Sequence, residues 1–206
     1  MLLAIDTSTG TSVAVVDREA GILAEVGTDD TMRHAELIGD GIRDVLATAG
    51  VAPGRLSGVA VGMGPGPFTG LRVGIAAARA FALGISREVV PVVSHDAIAR
   101  AWYRAGGSGA LQVVTDARRR ESAVTDYDGL DAHGLPIRLD APRLEPRDAV
   151  PAPRGIRLDA GTVSAGALGM LAELAVAAGR LPIADDQPLY LRAPDVTLST
   201  AKRVLR

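Results

Sequence analysis

Val61-Gly62-Met63-Gly64-Pro65-Gly66-Pro67-Phe68-Thr69-Gly70-Leu71-Arg72-Val73-Gly74 is the stretch whose reading decides the fold of this chain. An apolar run ending at Val61 reads as a strand. A Gly/Pro loop follows, and Thr69 stands where an N-cap is expected, ahead of a small-residue helix stopped near Gly84. Strand, glycine loop and helix start form a geometry that holds anions, because free N–H groups and the helix dipole converge on one spot. The same geometry also lets two backbones approach very closely. The common nucleotide fingerprints fail here: no lysine precedes Lys202, and a dinucleotide motif begun at Gly64 and Gly66 would need its third glycine at Thr69. Pro65 and Pro67 remove two backbone donors as well. A structural turn is the preferred reading, with Gly64 and Gly66 kept as candidates for a vestigial phosphate contact.

Within the helix, Gly70, Gly74, Ala78 and Ala82 recur every four residues with Ala77 beside them. Such a smooth stripe lets a second helix lie at close range, inside the chain or on a partner. Arg72 in the first turn opposes the helix dipole and calls for a carboxylate or phosphate beside it.

Working outward, residues 2–5 and 13–16 and the run Ile22 to Val26 read as three strands, the last two a hairpin. Asp6-Thr7-Ser8-Thr9 closes the first strand. Asp6, Thr7 and Ser8 could hold a hydrated cation and phosphate oxygens, or simply form an Asx/Ser-Thr turn. From Arg33 to Ala49 the period is helical, with Ile38, Ile42, Val45 and Leu46 on one face. Gly39 and Gly41 inside it suggest close approach by another helix, or fraying. A strand at 56–61, a strand at 88–93 and a helix at about 95–105, capped by Ser94, complete a first unit ending at Gly106-Gly107-Ser108-Gly109. Strands at 111–115 and 122–127 then flank the charged turn Asp116-Ala117-Arg118-Arg119-Arg120-Glu121, with a third at 135–139. A proline-rich loop over 141–155, a helix at about 164–178, an extended Pro188–Asp195 and a loose end carrying Lys202, Arg203 and Arg206 follow. The second half, 106–206, thus echoes the first, 1–105, in truncated form.

Composition narrows the chemistry. At 206 residues, 48% hydrophobic and 22% charged, the chain has ample core, and a net charge of -2 gives no global pull toward nucleic acid. It contains no cysteine, which excludes disulfides, thiolate metal sites and a Cys nucleophile and fits a reducing cytoplasm. The apolar N-terminus ends at Asp6 without a cationic start, so no signal peptide or membrane contact is expected. His34, His95 and His133 lie far apart and form no zinc pattern, and no Gly-x-Ser-x-Gly elbow is present. Arg118, Arg119 and Arg120 are the one dense basic spot, a solvated turn or a contact for RNA or an acidic partner.

Together, Leu3-Ala4-Ile5-Asp6-Thr7-Ser8, Arg33-His34-Ala35-Glu36, Gly64-Pro65-Gly66-Pro67-Phe68-Thr69-Gly70-Leu71-Arg72, Asp116-Ala117-Arg118-Arg119 and Pro188-Leu189-Tyr190-Leu191-Arg192 resemble the TsaB (YeaZ) family in order and over nearly the whole chain. The resemblance implies an α/β, actin-like ATPase fold (ASKHA, ribonuclease H-like) of two lobes, the second reduced. It implies a non-catalytic subunit that pairs with its catalytic paralogue TsaD, joined by the ATPase TsaE. The complex transfers threonylcarbamoyl to the tRNA adenosine beside the anticodon, so tRNA is met indirectly. The family pairs through two helices, here 34–49 and 70–84, which makes His34, Glu36, Ile38, Ile42, Gly70, Arg72, Gly74, Ala77, Ala78 and Phe81 the expected partner-binding residues. The isolated chain should need no cofactor, with ATP or ADP entering only in the assembled complex, and a homodimer could use the same surface. The TsaD family's metal-binding histidines have no counterpart here. Ala35 and Pro67 stand where the family has serines, and 141–163 is shorter than usual. A self-sufficient ATP-dependent enzyme using Asp6, Thr7 and the glycine loop is the rival expectation, and a metallopeptidase the third.

Overall fold

The computed structural model describes residues 1–181 and 183–192. Ala193–Asp195, expected to be extended, and the basic end with Lys202, Arg203 and Arg206 lie outside the described residues. Strands β1 (Leu2–Asp6), β2 (Thr11–Asp17) and β3 (Gly21–Thr28) run antiparallel, while β4 (Gly58–Gly62) and β5 (Glu88–Val92) join β1 in parallel, giving the order β3-β2-β1-β4-β5. Helices α1 (His34–Ala49) and α2 (Phe68–Gly84) cover one face, and α3 (Ser94–Arg104) follows β5. Both faces of this sheet are covered, which is why β1 is apolar at consecutive positions rather than alternate ones. Leu3 and Ile5 pack toward α1 and α2, and Leu2 and Ala4 toward the opposite core.

The second sheet repeats the plan. β6 (Ala110–Asp116) pairs antiparallel with β7 (Glu121–Leu130), β10 (Ile156–Asp159) lies parallel to β6, and β8 (Pro136–Arg138) and β9 (Arg143–Pro146) both pair with β7. β6, β7 and β10 thus stand where β1, β2 and β4 stand in the first sheet. No second copy of α1 or β5 is present among the described residues. The remaining helix, α4 (Ala165–Ala177), belongs to the second half in sequence but packs on β1, β2 and β3, while α3 packs on β6, β7 and β8. Gly169 makes this possible, since a Cβ there would come within 2.7 Å of Val16 and 2.9 Å of Ala4. Two sheets of repeated ribonuclease H-like order, the second reduced, make this an actin-like (ASKHA) α/β fold.

Several local expectations need correction. α2 starts at Phe68, not after a Thr69 cap: Pro67, at φ -60° and ψ 138°, is the N-cap, and its carbonyl receives the Leu71 amide. Proline pre-sets that entry, leaving Thr69 exposed on the first turn. Ser94 is the first residue of α3 rather than its cap, because its hydroxyl donates to Asp6 instead. Gly84 is the last helical residue, with Ile85 as the cap, whereas Gly50 does end α1 in the left-handed conformation. The proline-rich stretch is not all loop, since β9 lies within it and β10 follows it. Both strands are only four residues long, and their alternation of charged with apolar residues (Arg143-Leu144-Glu145; Ile156-Arg157-Leu158-Asp159) is too short to stand out beside the prolines.

Candidate functional site: the glycine seam, the first hairpin and the outer face of two helices

The glycine stretch is a seam against the β1–β2 turn. Gly62 touches the Asp6 carboxylate, and Gly74 touches the Thr7 side chain, where a Cβ would fall 3.0 Å from Cγ2 and nearer still to Oγ1. Between them, a Cβ on Gly66 would lie 2.6 Å from the Ser8 carbonyl oxygen, and one on Gly70 the same distance from that of Thr7. Four glycines spaced by four residues therefore clasp three consecutive residues, Asp6, Thr7 and Ser8. Gly64, at φ +99°, makes the loop's reversal, and its peptide bond to Pro65 is cis.

What the seam encloses is already satisfied. The Asp6 carboxylate accepts the Ser8 amide at 2.8 Å and the Ser8 hydroxyl at 2.5 Å on one oxygen, and the Ser94 hydroxyl at 2.6 Å on the other. Thr7 donates to the Gly70 carbonyl at 2.8 Å. All three residues are buried, with Asp6 only 2% exposed, and burial pushes its carboxyl above the usual range against the pull of these hydrogen bonds. A cation or phosphate would have to displace this set, so Asp6, Thr7 and Ser8 do not fit as a nucleotide-metal site in this geometry. Beside the turn, a cavity of about 580 Å³ is lined by Thr9, Thr11, Thr162 and Ser164, but also by Glu25 and Asp29. Glu25 accepts the Ser12 and Ser164 hydroxyls and the Gly166 amide, so the anion position at the start of α4 is filled by the chain's own carboxylate. Among the described residues no three His, Asp or Glu side chains converge as metal ligands.

The expected partner-binding residues divide in two. His34, Ile38, Gly70, Gly74 and Ala78 are buried, so the small-residue stripe of α2 points inward and offers no docking surface. The β1–β2 turn consumes the smoothness of that stripe. His34 bonds Thr11 through Nδ1 at 2.8 Å and abuts Gly70, and its desolvation lowers its pKa. Glu36 and Arg72 are exposed, and Ile42, Ala77 and Phe81 are half-buried. The outward side of α2 is instead Thr69, Arg72, Ala76, Ala80 and Leu83, with Leu83 81% exposed. On α1 it includes Ala35, Glu36, Gly39 and Arg43, and Gly39 faces open space.

Arg72 has no carboxylate beside it among the described residues. Its guanidinium lies over the Phe68 ring at 3.9 Å, its Nε donates to the Tyr190 hydroxyl at 3.0 Å, and Phe68 stacks on Tyr190 at 4.1 Å. Tyr190 belongs to a returning segment tied down by Leu189 to Met63, Arg79 to Asp186 and Arg192 to Glu121. Sequence reasoning missed this role of Tyr190 and the part played by Ser94, for which sequence offered no cue beyond their residue types. Arg118, Arg119 and Arg120 are exposed, as a turn requires, but all three sit at positive φ, between 52° and 65°. Arg118 reaches Thr31 ahead of α1, and Arg119 lines a cavity of about 360 Å³ together with Pro65, Phe68 and Tyr190.

Fold and seam together define a lobe pair of the actin-like kind whose first hairpin is closed by its own backbone. A family model described as TsaD, tRNA N6-adenosine threonylcarbamoyltransferase, matches residues 11–134, more than half of the chain. Among solved structures, an uncharacterised Pseudomonas aeruginosa protein described as similar to peptidase YeaZ is 29% identical, over 93% of this chain and 99% of that one, with a TM-score of 0.77. YeaZ from Pseudomonas aeruginosa is 27% identical, over 92% and 99%, with a TM-score of 0.75. No curated protein sequence matches significantly. The chain belongs to this tRNA-modification family, in its YeaZ (TsaB) branch. No helix among the described residues is long and apolar enough to cross a membrane.

Proposed function

We propose that this chain is a non-catalytic subunit that pairs with the catalytic paralogue TsaD, joined by TsaE, for threonylcarbamoyl transfer to the tRNA adenosine beside the anticodon. The observation that carries this reading is the sealed hairpin: Asp6, the carboxylate an actin-like enzyme would need free for a cation, is enclosed by Gly62, Ser8 and Ser94. An enzyme working alone would leave that group accessible. The paralogue docks on the outward sides of α1 and α2, at Glu36, Gly39, Arg72, Ala76, Ala80 and Leu83, rather than on the buried stripe. ATP or ADP enters only in the assembled complex, with donors from the partner, because this chain presents carboxylates where phosphate would lie. Without the partner, the same outward face supports a homodimer. The complex works in the cytoplasm, and Arg118 to Arg120 lie at the edge where tRNA or an acidic partner would pass.

The test is co-purification with the paralogue followed by tRNA modification with and without this chain. Modification should require the pair, and neither chain should work alone. Failure to co-purify, or unchanged modification without the chain, would overturn the reading. Calorimetry with Mg-ATP on the isolated chain addresses the rival enzyme, since tight stoichiometric binding would favour it.

A further inference from the structure

We infer that the outward face of α2 reads an acidic side chain of the protein partner through Arg72, and that Tyr190 is the positioning residue that presents it. The inference rests on the docking reading above and names the chemistry of its central contact. Arg72 is the fifth residue of α2, just past its first turn and on the helix's positive end, and no carboxylate among the described residues lies beside it. Its flat face is held by Phe68 and its Nε by the Tyr190 hydroxyl, the residue is exposed, and its two terminal nitrogens have no hydrogen-bond partner among the described residues. A guanidinium immobilised in this way loses little further freedom on binding, and its remaining fork matches a carboxylate in bidentate fashion.

The neighbourhood points the same way. Arg79, the other cation of α2, is occupied by Asp186, and on α1 Arg33 pairs with Glu36 and Arg43 with Asp40 and Asp44. Among the described residues, Arg72 is thus the cation of this face with no carboxylate paired to it. Between it and Leu83 lie Ala76 and Ala80, small enough for a second helix to come down close to α2. A partner helix with an acidic residue at one end and apolar residues toward the other complements this surface.

The experiment measures affinity between the full chain and the catalytic paralogue, at low and moderate salt, for wild type, Arg72→Ala, Arg72→Lys and Tyr190→Phe. Arg72→Ala should weaken binding about 10-fold or more and flatten its salt dependence. Arg72→Lys should recover only part of the loss, because it keeps the charge without the fork. Tyr190→Phe, which keeps the ring stack and so leaves folding intact, should cost about 3-fold. Wild-type binding with all variants within 2-fold would overturn this inference and leave the docking reading standing. Absence of wild-type binding would overturn both. A loss confined to tRNA affinity of the assembled pair, or to self-association of this chain, would overturn it in favour of a phosphate or a second copy.

Discussion

The two lobes each begin with the same hairpin. Asp6 pairs across from Ser12 in the first, and Asp116 across from Ser122 in the second, with five residues between in each case. Both aspartates start the turn alike, accepting the amide two residues on, from Ser8 at 2.8 Å and Arg118 at 3.0 Å. There the likeness ends. The first turn is clasped by the glycine seam and buried; the second stands exposed, its aspartate paired with Arg147 and its next residues three arginines in left-handed conformation. The difference lies in the following segment. After the first hairpin the chain supplies β4 and the glycine-bearing α2, which lie on the turn. After the second, β10 leads into α4, which packs on the other sheet instead. A shared plan has produced one sealed turn and one open one.

The seam is the place to break that contrast. With Gly74 against Thr7, Gly74→Leu should strongly destabilise the monomer itself rather than act on partner pairing alone. The obstacle is the β1–β2 turn, which the Thr7 bond to Gly70 holds in place, so the cost should reach about 4 kcal/mol, the upper end for overpacking. Denaturant titration gives the value. Gly74→Ala should destabilise too, although alanine is the better helix former by about 1 kcal/mol. The same exchange at Gly39, which faces open space, should follow propensity and stabilise by about 1 kcal/mol.

Between the hairpins, the first turn of α3 holds both. Ser94 bonds Asp6 of the first, while His95 sits between the Thr115 and Thr125 hydroxyls, each at 2.8 Å, on the strands of the second. Asp96 receives the Tyr127 hydroxyl at 2.9 Å and lies 3.2 Å from Arg138. Burial drives the two titrating neighbours in opposite senses: Asp96 is pushed up to about 6, and His95 down to about 3. Asp96, raised in the folded state, contributes stability present below the ordinary carboxylate value of 3.8 and lost as pH rises to about 6. His95, lowered, contributes stability present above its ordinary 6.5 and lost as pH falls toward about 3. Between about pH 4 and 6 the two slopes oppose each other. Asp96→Asn removes one of them, so the variant should lose about 2 kcal/mol more than wild type on acidification from about pH 6.5 to 4.5. Denaturation midpoints at the two pH values decide it, and parallel shifts in both proteins would refute the coupling.

Much of this was legible in sequence, and the failures have a common cause. The succession of strands and helices in the first lobe, the truncated echo and the arginine turn all rest on strong local signals: apolar runs and turn residues. The direction of the small-residue stripe was not legible, because Gly70, Gly74 and Ala78 on one side of α2 and Ala76 and Ala80 on the other carry almost no difference in hydrophobicity. Only the four-residue spacing of Gly62, Gly66, Gly70 and Gly74, running through loop and helix alike, hinted that something must lie against them all. Contacts such as Ser94 with Asp6, Arg72 with Tyr190 and Asp96 with Arg138 join residues far apart in sequence and leave no periodic trace.

The smallest expected effect would make the hairpins more alike. Four residues beyond each aspartate, the first turn has Gly10 and the second Arg120. Gly10 is needed for closeness, since a Cβ there would collide with the Thr28 carbonyl. Arg120 is exposed and sits at φ +61°, which costs an L-residue roughly 1–2 kcal/mol. Arg120→Gly removes that strain and gives back part of it through the greater freedom of the unfolded chain, about 0.5–1 kcal/mol. The net should be a stabilisation of about 0.5–1 kcal/mol, read as a rise in denaturation midpoint with unchanged m value. The Arg147 amide bonds the carbonyl of residue 120, not its side chain, so the ladder beside the turn survives the exchange. A destabilised variant would mean that the Arg120 side chain makes a contact worth more than the strain, and that the open turn is less open than its exposure suggests.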